Sequence, residues 1–156
     1  MSALTSALEL EDTATLEAFI YVGEEGGEVR TRNAARLELL ADRVRSQSVS
    51  GRELRAELGI SRQRMQQLRE KGSLLGVQPP LASEYWYPRW QFQDEARPLL
   101  PQILSAGGEA GLSALSLHLL VTDPASGINN TALVELLDER PEDVLAVISG
   151  AGEIGS

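Results

Sequence analysis

The eleven residues from Ser61 to Lys71 hold three Gln, three Arg and one Lys around two apolar positions, Met65 and Leu68. Arg and Gln carry paired donors and acceptors that match the major-groove edges of guanine and adenine, so the stretch has the composition of a base-reading surface. That chemistry needs the polar groups on one face of a helix. At helical spacing Arg62, Gln63, Gln66 and Gln67 fall on an outward face, with Arg64, Arg69 and Lys71 flanking it. Ser50, Arg52 and Ser61, at the starts of two adjoining helices, complete the set of candidate DNA contacts.

No other constellation offers comparable chemistry. His118 is the sole histidine and sits on an apolar helix without cysteine or a second histidine, so it reads as a packed or partly exposed side chain rather than a ligand or base. The carboxylates lie on solvated helix faces with no basic, nucleophilic or metal-binding partner at motif spacing. Gly150-Ala151-Gly152-Glu153-Ile154-Gly155 has the spacing of a dinucleotide fingerprint, but no helix follows it in the sequence to receive a pyrophosphate, so it reads as a flexible tail. Asn129-Asn130-Thr131 matches a glycosylation acceptor but has no secretory signal ahead of it. The expectation is a protein with no catalytic residues, no metal and no cofactor.

Positioning the Ser61–Lys71 face requires two short helices and a tight turn. Ser50 and Glu53 make a capping box that starts a helix at Gly51, and Gly59 breaks it where the turn needs positive φ. Leu54, Leu58, Ile60, Met65 and Leu68 then fall at the inward positions of a helix-turn-helix, and Ser61 caps the second helix. Arg55 stands where that motif usually has a small residue. The competing reading is an exposed helical hairpin with solvated charges; five inward positions and the turn glycine agreeing together favour the motif.

Charge is segregated along the chain. The total is −9 with a pI near 4.6, unfavourable for a polyanion partner if evenly spread. Residues 1–29 carry seven acids and no Lys or Arg; residues 30–72 carry eleven bases against five acids; residues 73–156 carry three bases against eleven acids. The one basic segment contains the motif, and thirteen of the fourteen bases are Arg, the side chain suited to forked contacts with phosphate and guanine.

The flanking sequence completes a mainly α fold: a helix-turn-helix with a small β-hairpin wing, followed by a small helical domain. The divisions expected are 1–49, 50–92 and 93–156. In the first, helices are expected over Thr13–Val22 and about Asn33–Arg45, the former ended by a Gly23–Gly27 loop; the latter carries Leu37, Leu40 and Val44 on one stripe and braces the motif. The spare first helix serves a dimer contact or covers the core. Leu74–Val77 and Glu84–Tyr87, separated by Pro79-Pro80, read as the wing hairpin, and its aromatic cluster of Tyr85, Trp86, Tyr87, Trp90 and Phe92 reads as core. Farther on, helices are expected at Pro98–Ser105, Ser113–Val121, Thr131–Leu137 and Pro141–Ser149, with Gly107, Gly108 and Gly111 as punctuation and Gly150 as a stop. The absence of cysteine excludes disulfides and thiolate chemistry and fits a reducing compartment. No signal-like start and no run of about 20 apolar residues occurs, so a cytoplasmic location away from membranes is expected.

The order of the motif, then YPRWQF and ARPLLPQIL, then LSLHLLVTDPASGINNTALVELL, then PEDVLAVI resembles the Xre/MbcA/ParS antitoxin family over about Ser50 to Ser149. Its best marker is Leu119-Leu120 leading to Asp123-Pro124, a short glycine-containing loop, and Thr131 with Leu133, Leu136 and Leu137. Ala132 stands where the family usually has a proline, and Ile128-Asn129-Asn130 replaces its glycine-rich basic turn. The resemblance implies a cytoplasmic homodimer that binds double-stranded DNA, represses its own operon and neutralises a RES-domain toxin that consumes NAD. It places toxin contacts at Asp123, Ile128, Asn130, Thr131 and Glu135. A stand-alone helix-turn-helix regulator, with the C-terminal helices used for dimerisation, is the alternative, and an interaction module that no longer binds DNA is a third.

Overall fold

A computed structural model describes residues 26–155; the helix expected at Thr13–Val22 lies outside them. Among the described residues there are six α-helices, four 3-10 turns and a two-stranded antiparallel sheet. No single helix is long and apolar enough to cross a membrane.

Helix α1, Gly26–Ser46, starts within the expected loop and is longer than the spacing of its apolar stripe requires. Ala41 and Val44 are buried and Leu37 and Leu40 half-buried, while Leu39 is 69% exposed on the opposite side. One residue, Gln47, separates α1 from strand β1, Ser48–Ser50. β1 pairs with β2, Trp86–Pro88, in the register Ser48↔Pro88, Val49↔Tyr87 and Ser50↔Trp86.

That pairing differs from the expected hairpin. The Leu74–Val77 run meets Glu84–Tyr87 only at Val77 and Trp86, whose amides and carbonyls exchange bonds of 2.8 and 2.7 Å. Two features stop the ladder there. Pro79 and Pro80 have no N–H to offer. At the other end the buried Gln91 side chain takes the Leu75 backbone: its Oε1 accepts from the Leu75 N–H at 2.9 Å and its Nε2 donates to the Leu75 carbonyl at 2.9 Å. An amide side chain thus replaces a strand partner, which keeps a buried backbone satisfied without a neighbouring strand.

Helices α2, Gly51–Leu58, and α3, Arg62–Glu70, follow β1. The Ser50–Glu53 capping box is formed in both directions, the Ser61 hydroxyl accepts from the Arg64 N–H at 3.0 Å, and Gly59 ends α2 at φ +66°. A side chain at Gly59 would be strained in that left-handed conformation. Leu54, Met65, Leu74 and Tyr87 make a small core with Val49, Ile60, Leu68 and Phe92 packed on it. Leu58 does not join it and is 49% exposed, because the chain reverses at Gly59 and Ile60 takes the place over the core. Tyr87 and Trp90 are buried as the core reading required; Tyr85 is 38% exposed.

A larger core runs from Val44 through Leu75, Val77 and Trp90 to helices α4, Leu100–Glu109, α5, Ala114–Thr122, and α6, Pro141–Gly155. It crosses residue 92. Two glycines expected to break helices are inside one: α4 continues through Gly107 and Gly108 and closes at Gly111 (φ +80°). Gly150 does not stop α6 either, and the expected tail is its last turn. There a Cβ at Gly152 would run into the Ala110 carbonyl, so the missing side chain lets α6 lie against the end of α4. The helix expected at Thr131–Leu137 is a 3-10 turn at Leu133–Leu136. Before it, Asn129 and Asn130 adopt φ +54° and +62° between the paired Ile128 and Thr131, a two-residue turn of the primed type that Asn tolerates.

Candidate nucleic-acid interface

The side chains of α3 divide cleanly. Met65 is buried and Leu68 half-buried, and Ser61, Arg62, Gln63, Arg64, Gln66, Gln67 and Lys71 are exposed. Arg52 is exposed on α2 and Ser50 is half-buried at its cap. Among the described residues the ion pairs are Arg45 with Asp42, within α1, and Arg140 with Asp143, across the start of α6, so Arg52, Arg62, Arg64 and Lys71 have no carboxylate partner. Guanidinium and amide ends exposed on one capped helix can pair bidentately with base edges or phosphate oxygens.

Two contacts on that face were not legible from composition. Glu70, one turn after Gln66, accepts from the Gln66 amide at 3.0 Å, which puts an acid on the outward side and uses one of the Gln66 donors. Arg64 Nη1 reaches Gln67 Oε1 at 3.4 Å. Their signal is the i, i+3 and i, i+4 spacing itself.

Arg69 is placed differently from its neighbours. Its guanidinium lies 3.9 Å from the centre of the Tyr85 ring, and its Nη1 donates to the Tyr87 hydroxyl at 2.6 Å. The side chain passes over Gly76, where a Cβ would stand 2.6 Å from Arg69 Cδ and 3.1 Å from both Tyr rings. Burial pushes the Tyr87 phenol above its usual value, and the bond from Arg69 acts in the opposite direction. Arg69 therefore ties α3 to the segment leading into β2. Arg55, half-buried, lies beside Gly51 with its charge also near Tyr87.

The residues assigned to a protein partner occupy two places. Asp123 caps the 3-10 turn Pro124–Ser126 by accepting from the Ala125 N–H at 3.0 Å; Ile128 is half-buried against the large core; Thr131 is half-buried and Asn130 exposed. Glu135 instead lines a separate cavity with Glu95, Asp138, Val134, Gln93 and Trp90.

His118 is fully buried, as a packed side chain. Its Nδ1 accepts from Trp90 Nε1 at 3.2 Å and its Nε2 faces Gln47 Oε1 at 2.9 Å, so the neutral ring carries its proton on Nε2. Burial, and then the Arg43 charge, lowers its pKa to about 4. Among the described residues no group of His, Asp and Glu is arranged to hold a metal ion. The chain matches no protein-family model, no curated protein and no solved structure.

Proposed function

We propose that the chain is a sequence-specific DNA-binding protein in which α2 and α3 form a helix-turn-helix, the Val77–Trp86 hairpin is its wing, and α3 enters the major groove. The observation that carries the reading is the outward face of α3, where Arg62, Arg64 and Lys71 lack carboxylate partners beside Gln63, Gln66 and Gln67. Segregation of eleven bases into residues 30–72 of an acidic chain supports it. A homodimer reading two half-sites in the cytoplasm is the arrangement this motif needs for specific affinity.

The family resemblance extends the proposal to the antitoxin and autorepressor of a type II pair, with no catalysis of its own. Residues 93–156 would then bind a RES-domain toxin through the Asp123–Thr131 loop and Glu135. A second reading, a stand-alone regulator, is favoured by the core that joins Val44, Val77 and Trp90 to α4–α6, which makes the C-terminal helices part of the unit that carries α3. Selection from a random duplex pool tests the shared part: a recurring site is expected, and recovery of unrelated sequences overturns it. Co-expression with a neighbouring RES-domain gene product separates the two readings, since only the antitoxin restores growth.

A further inference from the structure

We infer that the acidic N-terminal segment, residues 1–25, docks on the outward face of α3 and competes there with nucleic acid. The inference rests on the proposed DNA-binding face and adds its regulation. On the structure's side, Arg52, Arg62, Arg64 and Lys71 are exposed cations with no carboxylate within reach among the described residues. On the sequence's side, residues 1–25 carry Glu9, Glu11, Asp12, Glu17, Glu24 and Glu25 and no Lys or Arg. It holds more acids than any other base-free stretch of the chain and lies four residues ahead of the basic segment. Opposite charges at such density attract over about 8–10 Å at ordinary salt, and a tether multiplies the attraction by holding the two at roughly millimolar effective concentration.

The geometry permits the contact. α1 spans 21 residues, about 30 Å, and leads through Gln47 and β1 straight into α2. A 25-residue segment reaches up to about 80 Å when extended, more than enough to return along α1 to α3. The occupied cations are the ones phosphates need, so docking of the segment and DNA binding exclude each other. Random duplex, held by charge alone, is displaced more completely than a cognate site, which adds base contacts. The segment thus sharpens discrimination by suppressing the non-specific competitor.

The test compares the full-length protein with a full-length variant in which the six acids are changed to Gln or Asn, leaving Leu16, Phe19 and Ile20 in place. Equal melting temperatures verify that the variant folds. On random duplex at about 50 mM salt the variant is expected to bind roughly five- to tenfold tighter, and the two proteins converge as salt approaches about 0.5 M. A DNA-free arm uses a labelled peptide of residues 1–25, which is expected to bind the variant, whose own segment is neutral, better than the wild-type protein. Binding is expected to be lost with Arg62→Ala and Arg64→Ala added. If both proteins bind duplex equally at low salt and the peptide binds neither, the inference is overturned. If neither protein binds DNA, the function proposed above fails and the peptide arm alone decides the contact.

Discussion

Arg69 turns back from the exposed side of α3 to donate to the Tyr87 hydroxyl at 2.6 Å, with its guanidinium over Tyr85. A residue whose type and position matched a DNA contact serves here to fix α3 against the sheet. The pairing joins α3 to β2, and β2 to β1, so the start of α2 and the end of α3 are held to the same short sheet.

Arg69→Ala is therefore expected to act on stability. It leaves the Tyr87 hydroxyl without its partner and removes a stacked cation, a loss of about 1–3 kcal/mol read by urea unfolding. Gly76→Ala acts on the same joint by displacing Arg69 Cδ. Both variants should weaken cognate and random duplex by similar factors; a purely base-specific loss for Arg69→Ala disproves the bracing role.

The base-reading assignment is checked on neighbouring residues. Arg62→Ala or Gln66→Ala is expected to cost about 1–3 kcal/mol on the cognate site and little on random duplex, whereas Lys71→Ala weakens both and flattens the salt dependence. Glu70→Gln removes the acid bonded to Gln66 and should tighten binding to all sequences. Equal losses on both duplexes for Arg62→Ala exclude a base contact there.

His118 makes stability fall in acid. Its folded-state pKa of about 4 lies below the 6.5 of an unfolded imidazole, so below pH 6.5 the unfolded chain takes up a proton that the folded chain refuses. Its contribution is complete above about pH 6.5 and is lost progressively as pH falls toward 4, on the order of 3 kcal/mol in all. Denaturant unfolding at pH 7, 6 and 5 should show this slope, and His118→Gln should flatten it; an unchanged slope in the variant refutes the assignment.

The proposed partner surface calls for point changes, because removing residues beyond Asp94 strips the cover from Val44, Val77 and Trp90. Glu135→Lys with Asp138→Lys reverses the charge of an exposed cavity rim and should abolish toxin neutralisation while leaving duplex binding within about twofold. Neutralisation that survives the double change removes this rim from the interface.

The helix caps were legible because they depend on residues three apart: Ser50 with Glu53, and Ser61 with the amide it meets at Arg64. His118 followed from the apolar residues around it. The β1–β2 pairing was hidden because a three-residue strand has too little length to show alternation, and its partner lies more than thirty residues on. The role of Gln91 left no trace in local pattern, since one buried amide replaced a strand partner sixteen residues away. Gly107 read as a helix breaker and Gly152 as part of a flexible tail; each instead leaves room for another part of the chain, Leu117 and Ala110 respectively, and close approach of that kind is a property of the packed molecule. The outward direction of Gln63 and Gln67 follows from helical phase, but the inward turn of Arg69 needs the two tyrosines brought in by β2.

Gln47 is the only residue between α1 and β1, and its backbone N–H, its carbonyl and its side-chain oxygen are all engaged. Its N–H bonds back to the Arg43 and Val44 carbonyls, its carbonyl accepts from the Arg89 N–H at 3.0 Å, and its side chain meets His118. A single-residue joint held at these points resists hinging. The 30 Å arm of α1 and the helices beyond β1 therefore turn together, and a torque applied at the far end of α1 reaches α3 as a change in heading rather than being absorbed on the way.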